Sequence, residues 1–480
     1  MIINTTNIRV FEREYLKAMK EDSAAIFAGA GLSRASGFVN WKELLRELAS
    51  DINLEVDKED DLVSLAQYYY NSQGENRSSI SDKIVEEFSK DAKQNENLEI
   101  LTMLPIEKYW TTNYDSLIED TLKSYANKKP DVKRTEKDLA RTLPKRDAIV
   151  YKMHGDITLP HEAVIIKDDY ETYNENRQLF TTSLQGDLVS KTFLFIGFSF
   201  EDPNLIFILS RIRILLGKDN NRKHYCFIKV LNRDDYESDG DYIYDKTKQE
   251  LRIEDLKRYG IYAVLINDYS EITESLKRIQ FKHKLNNIMI SGSAEVYGAF
   301  EKDSAEEFMF SLSNKLVKRD YKIVTGYGLG VGTYIVSGAL EEIYSNKFGR
   351  IELYLTTRPF PFIHKGEVDR KLIGRNYRNT IIDECGVVIF IFGNKRHEDS
   401  GEIIIADGVL QEFEIAKKKG KVIIPVGSTG FAAELIWNEV NVNLVNYDYL
   451  KDSMNLLKSE IKSEKVIIEI SKIVSRMKGV

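Results

Sequence analysis

The stretch "FAGAGLSRASG" (27–37) decides how the first part of this chain is read. It follows an apolar run, "SAAI", and precedes "WKELLRELA", whose apolar spacing predicts a helix. Three glycines and two serines thus sit where a buried strand hands over to a helix. Glycine permits the tight turn and close backbone approach such a junction needs. The same turn also presents the unpaired N–H groups of a helix N-terminus, which suit a phosphate. The glycines alone do not choose between the two.

Working outward, short apolar runs recur at "SAAIFA" (23–28), "YWTTN" (109–113), "AIVYKM" (148–153), "TFLFIG" (192–197), "YCFIKV" (225–230) and "YAVLIN" (262–267), with helical segments such as 41–52 and 60–72 between them. Strands apolar throughout that alternate with helices predict a parallel sheet covered on both faces. After a helix over 270–285 the pattern restarts at "NIMISGSAEVYG" (287–298) and continues at "KIVTG" (322–326), "IELYLTT" (351–357), "GVVIFIFG" (386–393) and "KVIIPVG" (421–427). Helices fit 303–318, 333–345, 407–419 and 459–477, while "KDNNRK" (218–223) and "NRDDYESDGD" (232–241) read as solvated loops. The fold class is therefore α/β, in two domains, 1–283 and 284–480, each a mainly parallel sheet flanked by helices.

Composition bounds the function. The 480 residues are 42% hydrophobic and 30% charged, which is the make-up of a globular protein with more than one core. A net charge of −7 carries no nucleic-acid signature, and no apolar run approaches a membrane span. The N-terminus lacks the apolar core of a signal peptide, so a cytoplasmic protein is expected. The two cysteines, Cys226 and Cys385, lie far apart in apolar runs with no CxxC pair, so no metal site is expected and both read as buried thiols.

In a parallel sheet, ligands bind beyond the carboxyl ends of the strands. "YWTTN" delivers Asn113 and then Asp115 there, "AIVYKM" delivers His154 and Asp156, and "TFLFIG" delivers Gly197, Ser199 and the turn "EDPN". Each has a structural reading: a core histidine, helix-capping Asn and Asp, a proline turn. Their joint arrangement on the side of the glycine turn points to a site.

In order and spacing, "GAGLSRASG", "TTNYD", "KMHGD" and "FIGFSF" resemble the four signature segments of the sirtuin family. That resemblance covers about residues 15–270 and implies a Rossmann-like domain that binds NAD+ and cleaves its nicotinamide–ribose bond. It places Ala28, Gly29, Ala30, Gly31 and Ser33 on the pyrophosphate and ribose, and Asn113 and Asp115 near the nicotinamide ribose. It makes His154 the base, and puts Gly197 and Ser199 on the adenosine side. Sirtuin deacylases carry a four-cysteine zinc ribbon, and many have a Pro-Asp-Phe-Arg segment where this chain has "FVNWKEL". A protein deacylase is disfavoured on both counts. An NAD+- or ADP-ribose-binding sensor without turnover stays open as an alternative.

The second half carries two further glycine turns, "ISGSAE" (290–295) and "VTGYGLGVG" (324–332). Glycines at four alternate positions exceed what one turn needs and point to backbone contact with a nucleotide. Basic residues gather downstream at Arg358, Arg375, Arg378 and Lys395. This half resembles the SLOG superfamily of nucleotide-binding Rossmann-like domains. Glu412 in "GVLQEFEIA" stands without the full motif of the phosphoribohydrolases in that group, which favours binding over hydrolysis.

The pairing of halves resembles the NAD-consuming effectors of Thoeris antiphage systems. That resemblance implies activation by a cyclic ADP-ribose isomer made by a TIR-domain partner enzyme, and a homo-oligomer, tetramer or larger. It places the isomer on Gly292, Ser293, Gly326, Gly328, Leu329, Gly330, Arg358 and Glu412, with Arg378 and Lys395 aligning with the family's ligand-binding pair. NAD+ enters as substrate, without a metal.

Overall fold

The computed structural model describes residues 6–200, 202–217, 222–360, 370–397, 399–460 and 463–478. Residues 218–221 of the expected loop 218–223 lie outside them. The chain divides into two compact units, Met1–Ile279 and Gln280–Val480, the division falling within the helix Ser270–Lys284.

The first unit holds seven strands: β1 (Ala24–Ala28), β2 (Lys108–Thr111), β3 (Pro130–Lys133), β4 (Ala148–Lys152), β5 (Thr192–Ile196), β6 (His224–Lys229) and β7 (Ile261–Ile266). They form one parallel sheet in the order β3-β4-β2-β1-β5-β6-β7. Why these runs are strands is visible in their packing. Ala24, Ile26 and Ala28 enter a core with Phe11, Tyr15 and Leu194, while Ala25 and Phe27 enter a second with Trp110, Phe193 and Phe195. Alternate side chains thus fill opposite faces, and both faces are covered. A third apolar cluster joins the helices Trp41–Asp51, Leu62–Ser72 and Ser78–Phe88 to Tyr114 and Ile165, beyond the strand ends.

The second unit holds β8 (Asn287–Ser291), β9 (Lys322–Thr325), β10 (Leu355–Thr357), β11 (Val387–Phe390), β12 (Asn394–Arg396), β13 (Ile403–Ile405) and β14 (Val422–Pro425). Five make a parallel sheet in the order β10-β9-β8-β11-β14, and β12 pairs with β13 as an antiparallel ribbon. One core fills this unit. The two sheets reverse direction at β1/β5 and at β8/β11, the positions where such sheets bind ligands.

The structure differs from the sequence reading in several places, among them helices Arg370–Asp383 and Phe431–Val442 in stretches given no element, and an expected helix 459–477 that is two, Met454–Ser459 and Ser463–Lys478. Strand β3, "PDVK", was not expected: it is a short edge strand with proline at its first position, where no ladder donor is needed. The run 351–357 is not one strand but a helical turn, Ile351–Tyr354, followed by three-residue β10. Short apolar runs do not distinguish strand from helix by period alone. The polar segment 232–241 is not all loop, since a short 3-10 turn occupies Arg233–Asp235 and Ser238 caps the helix Asp239–Lys257 by accepting from the Gly240 N–H. The ribbon β12–β13 lay in a stretch given no element. Cys226 and Cys385 are buried, and burial pushes both thiols up to about 12.

Candidate active site

The turn after β1 is shaped by the turn after β5. The Gly29 and Gly31 amides donate to the Ile196 and Gly197 carbonyls at 2.9 Å each. A Cβ on Gly29 would lie 2.4 Å from the Gly197 oxygen, and one on Gly31 2.8 Å from the Gly197 Cα. Gly197 itself has φ +65°, and its Cβ would lie 2.1 Å from the Leu32 nitrogen. The glycines therefore serve the steric purpose, and two of the loop amides are engaged within the fold. We expect Gly197→Ala to lower the melting temperature by several degrees, since both backbone strain and overlap oppose it; an unchanged melting curve would contradict this packing.

From the helix Ala30–Arg34 that follows, Ser33 donates its hydroxyl proton to Asp115 Oδ2 at 2.7 Å. With that proton committed, the Ser33 oxygen accepts, and Asn113 Nδ2 donates to it at 2.8 Å and to the Gly29 carbonyl at 3.1 Å. This network orients the Asn113 amide. Both its N–H groups are held, so its Oδ1 is the pole left to accept from water or a hydroxyl. Asp115 is fixed in turn by the Leu117 N–H, 3.1 Å from Oδ1.

His154 follows β4 and is buried between Tyr170 and Tyr173, whose rings meet it edge-on at 5.5 and 6.1 Å. Its Nε2 stands 3.0 Å from Asp202 Oδ2, close enough for charge pairing at an angle that falls short of a linear hydrogen bond. Burial works to raise the Asp202 carboxyl, but the His154 ring and the amides of Leu205 and Asn204 outweigh it and hold the group below its ordinary range. Asp202 was read only as part of a turn. The signal was its place just before a proline that opens a helix.

Behind these residues lies a buried charge cluster that sequence reasoning also missed. Lys152 is fully buried at the end of β4. Its ammonium donates to the Asp115 carbonyl and, at 3.4 Å, to that of Tyr114. It stands 3.1 Å from Asp156 and 3.6 Å from Glu119. Arg134 adds a contact to Asp156 at 3.1 Å. Burial raises the Glu119 carboxyl despite the nearby Lys152 charge. Lys152 thereby joins the segment carrying Asn113 to the segment carrying His154. Ala28 ends β1, and Ser199 is exposed in the turn after β5, with its carbonyl accepting from Arg252.

In the second unit the glycine turns again pack on each other. A Cβ on Gly328 would lie 2.0 Å from the Gly292 oxygen, and one on Gly330, at φ +68°, 1.8 Å from the Ala294 oxygen. Gly326 faces the Tyr377 hydroxyl, and Leu329 is exposed. Ser293 donates to the Asn394 carbonyl at 2.9 Å. Beside these turns, Glu412 accepts from Ser291 at 2.6 Å and lies 3.7 Å from Arg378 Nε. Burial raises the Glu412 carboxyl against both partners. Arg378 also stacks on Phe360 at 5.0 Å. Lys395 pairs with Asp407, whose carboxyl it lowers. Arg378, Lys395 and Glu412 thus stand around the ends of β8 and β11. Arg358 points elsewhere: its guanidinium pairs with Glu384, 2.5 Å away, just before β11.

Residues 107–254 match the SIR2-like domain family, and residues 271–477 match the Sir2- and TIR-associating SLOG family. Fold and matches together define the class: a SIR2-like α/β unit followed by a SLOG unit. A protein of Cytobacillus dafuensis named NAD(+) hydrolase ThsA is 46% identical over all of this chain and 98% of its own length. A Bacillus cereus protein of the same name is 47% identical over 96% of each chain. The Bacillus subtilis protein named defense-associated sirtuin 2 is 29% identical over 45% of this chain and 22% of its own. The chain belongs to the ThsA family of NAD(+) hydrolases.

Proposed function

We propose that the first unit, residues 1–283, hydrolyses the nicotinamide–ribose bond of NAD+, giving nicotinamide and ADP-ribose. The second, residues 284–480, switches it on by binding a cyclic ADP-ribose isomer, made by a TIR-domain enzyme in Thoeris antiphage defence. The observation that carries the first half is the oriented Asn113 amide beside Ser33 and Asp115, with His154 two strands from β1. Nicotinamide leaves as a neutral amine and needs no acid. Its departure puts positive charge on the ribose, an oxocarbenium-like state of the kind met in glycoside hydrolysis. Asn113 Oδ1 positions water or a ribose hydroxyl without adding charge, and His154 accepts the proton released as water attacks. A binder without turnover has no use for that arrangement.

The observation behind the second half is the group Arg378, Lys395 and Glu412 beside two glycine turns. In the described state the two cations lean on Glu412 and Asp407, and an anionic ligand is suited to replace those carboxylates. The test incubates the purified chain with NAD+, with and without cyclic ADP-ribose isomers, and follows nicotinamide release. Release that rises with one isomer is expected; none under any condition would favour the binder. Among the described residues no His, Cys, Asp and Glu group is placed to hold a metal. Activity should survive incubation with a chelator, and a loss restored by zinc would reopen deacylase chemistry.

A further inference from the structure

We propose that Asp202 is a positioning residue of the hydrolase site, holding the His154 imidazole by Nε2 and leaving the other ring nitrogen as the proton acceptor. The proposal rests on the assignment of His154 as the base. Three features of the structure support it.

Asp202 is anchored by something other than His154. It is the N-cap of the helix Pro203–Leu216, with Oδ1 accepting from the Leu205 N–H at 2.8 Å. One carboxylate oxygen is therefore fixed by the helix, and the other is left pointing at Nε2. The helix N-terminus also favours the ionised form, and an ionised carboxylate can only accept. A neutral imidazole beside it thus carries its proton on Nε2.

The chain is bent to bring it there. Between β5 and this helix, Gly197 and Phe200 both take left-handed backbone angles, φ +65° and +58°. For a bulky phenylalanine that conformation is costly, and it persists where packing enforces it. Phe200 is buried against Phe195 and Phe198, with ring centres 5.0 and 5.3 Å apart. This strained turn leads directly into the helix cap at which Asp202 meets His154.

Among the described residues, nothing else fixes the imidazole on that side. Tyr170 and Tyr173 pack at steep angles to it, 82° and 72°, and the Tyr173 hydroxyl is spent on the Met153 carbonyl at 3.2 Å. Among the described residues, Asp202 is the charged group within reach of Nε2.

The two duties of Asp202 can be separated. Asparagine caps helices as well as aspartate does, but it lacks the charge and can present an amide N–H to Nε2. The experiment compares wild type, Asp202→Asn, Asp202→Ala and His154→Ala as full-length chains. Nicotinamide release is followed over a range of NAD+ concentrations, with the cyclic ADP-ribose isomer that gives the largest wild-type rate. Asp202→Asn should keep the wild-type melting temperature and KM while kcat falls by about tenfold to a hundredfold, less than the loss of the base itself would cost. Asp202→Ala should lose kcat similarly and stability besides. A wild-type or higher kcat in Asp202→Asn, with His154→Ala inactive, would reduce Asp202 to a helix cap and overturn this proposal alone. Full activity in His154→Ala would overturn the base assignment, and this proposal with it.

Discussion

Asn113→Ala and His154→Ala should each lower nicotinamide release by two or more orders of magnitude, about 3 kcal/mol or more of lost transition-state stabilisation. The two losses have different origins. Asn113 supplies a fixed acceptor, and its replacement also releases Ser33 and the Gly29 carbonyl, to which its Nδ2 donates at 2.8 and 3.1 Å. His154 supplies the proton acceptor, and its removal leaves the Asp202 carboxylate facing a cavity. Asn113 is only half-buried, so its variant should melt close to wild type, whereas loss of the buried His154 beside Asp202 should lower the melting temperature while circular dichroism still reports the wild-type fold. Turnover near the wild-type rate in either variant would refute the roles given to them. A loss of folding in both would leave activity uninformative, and Asn113→Asp then serves, keeping the shape and exchanging the two N–H donors for an acceptor.

Arg378→Ala should abolish activation by a cyclic ADP-ribose isomer while leaving NAD+ binding at the first unit intact. A ligand shifts a resting state only by its differential affinity for the active one. A coupling of about 2–3 kcal/mol, common for allosteric pairs, corresponds to roughly a 30- to 150-fold change. Arg378 is suited to deliver much of that. Its guanidinium is held on the Phe360 ring, its Nε lies 3.7 Å from Glu412 without a hydrogen bond, and bidentate phosphate binding would replace this weak contact with strong ones. Calorimetry with the isomer on the full-length chain should show binding in wild type and none in the variant. If the variant still bound the isomer and was activated by it, the sensor would lie elsewhere.

Much of the fold was legible because buried parallel strands are apolar throughout. The runs that became β1, β4, β5, β8, β11 and β14 read as strands, and the glycines after β1, β5, β8 and β9 marked where the chain turns tightly. What escaped was whatever depended on partners distant in sequence. Nothing in "PDVK" distinguishes an edge strand from a loop until β4 lies beside it. Asp202 gave a cap signal, but its contact with His154 spans 48 positions, a separation no local pattern encodes. Arg358 shows the converse: its place after a strand was read correctly, yet Glu384, invisible at that distance, turns it away.

The cluster of Lys152, Glu119, Asp156 and Arg134 has a consequence for how the sequence can change over time. Removing one member of a buried ion pair costs about 3–5 kcal/mol because its partner stays charged in a dry interior, whereas replacing the set with apolar side chains of similar volume is close to neutral. These four positions are therefore tied as a unit of inheritance. Single replacements at Lys152 should be purged, and lineages that abandon the lysine should be found to have abandoned the facing carboxylates as well.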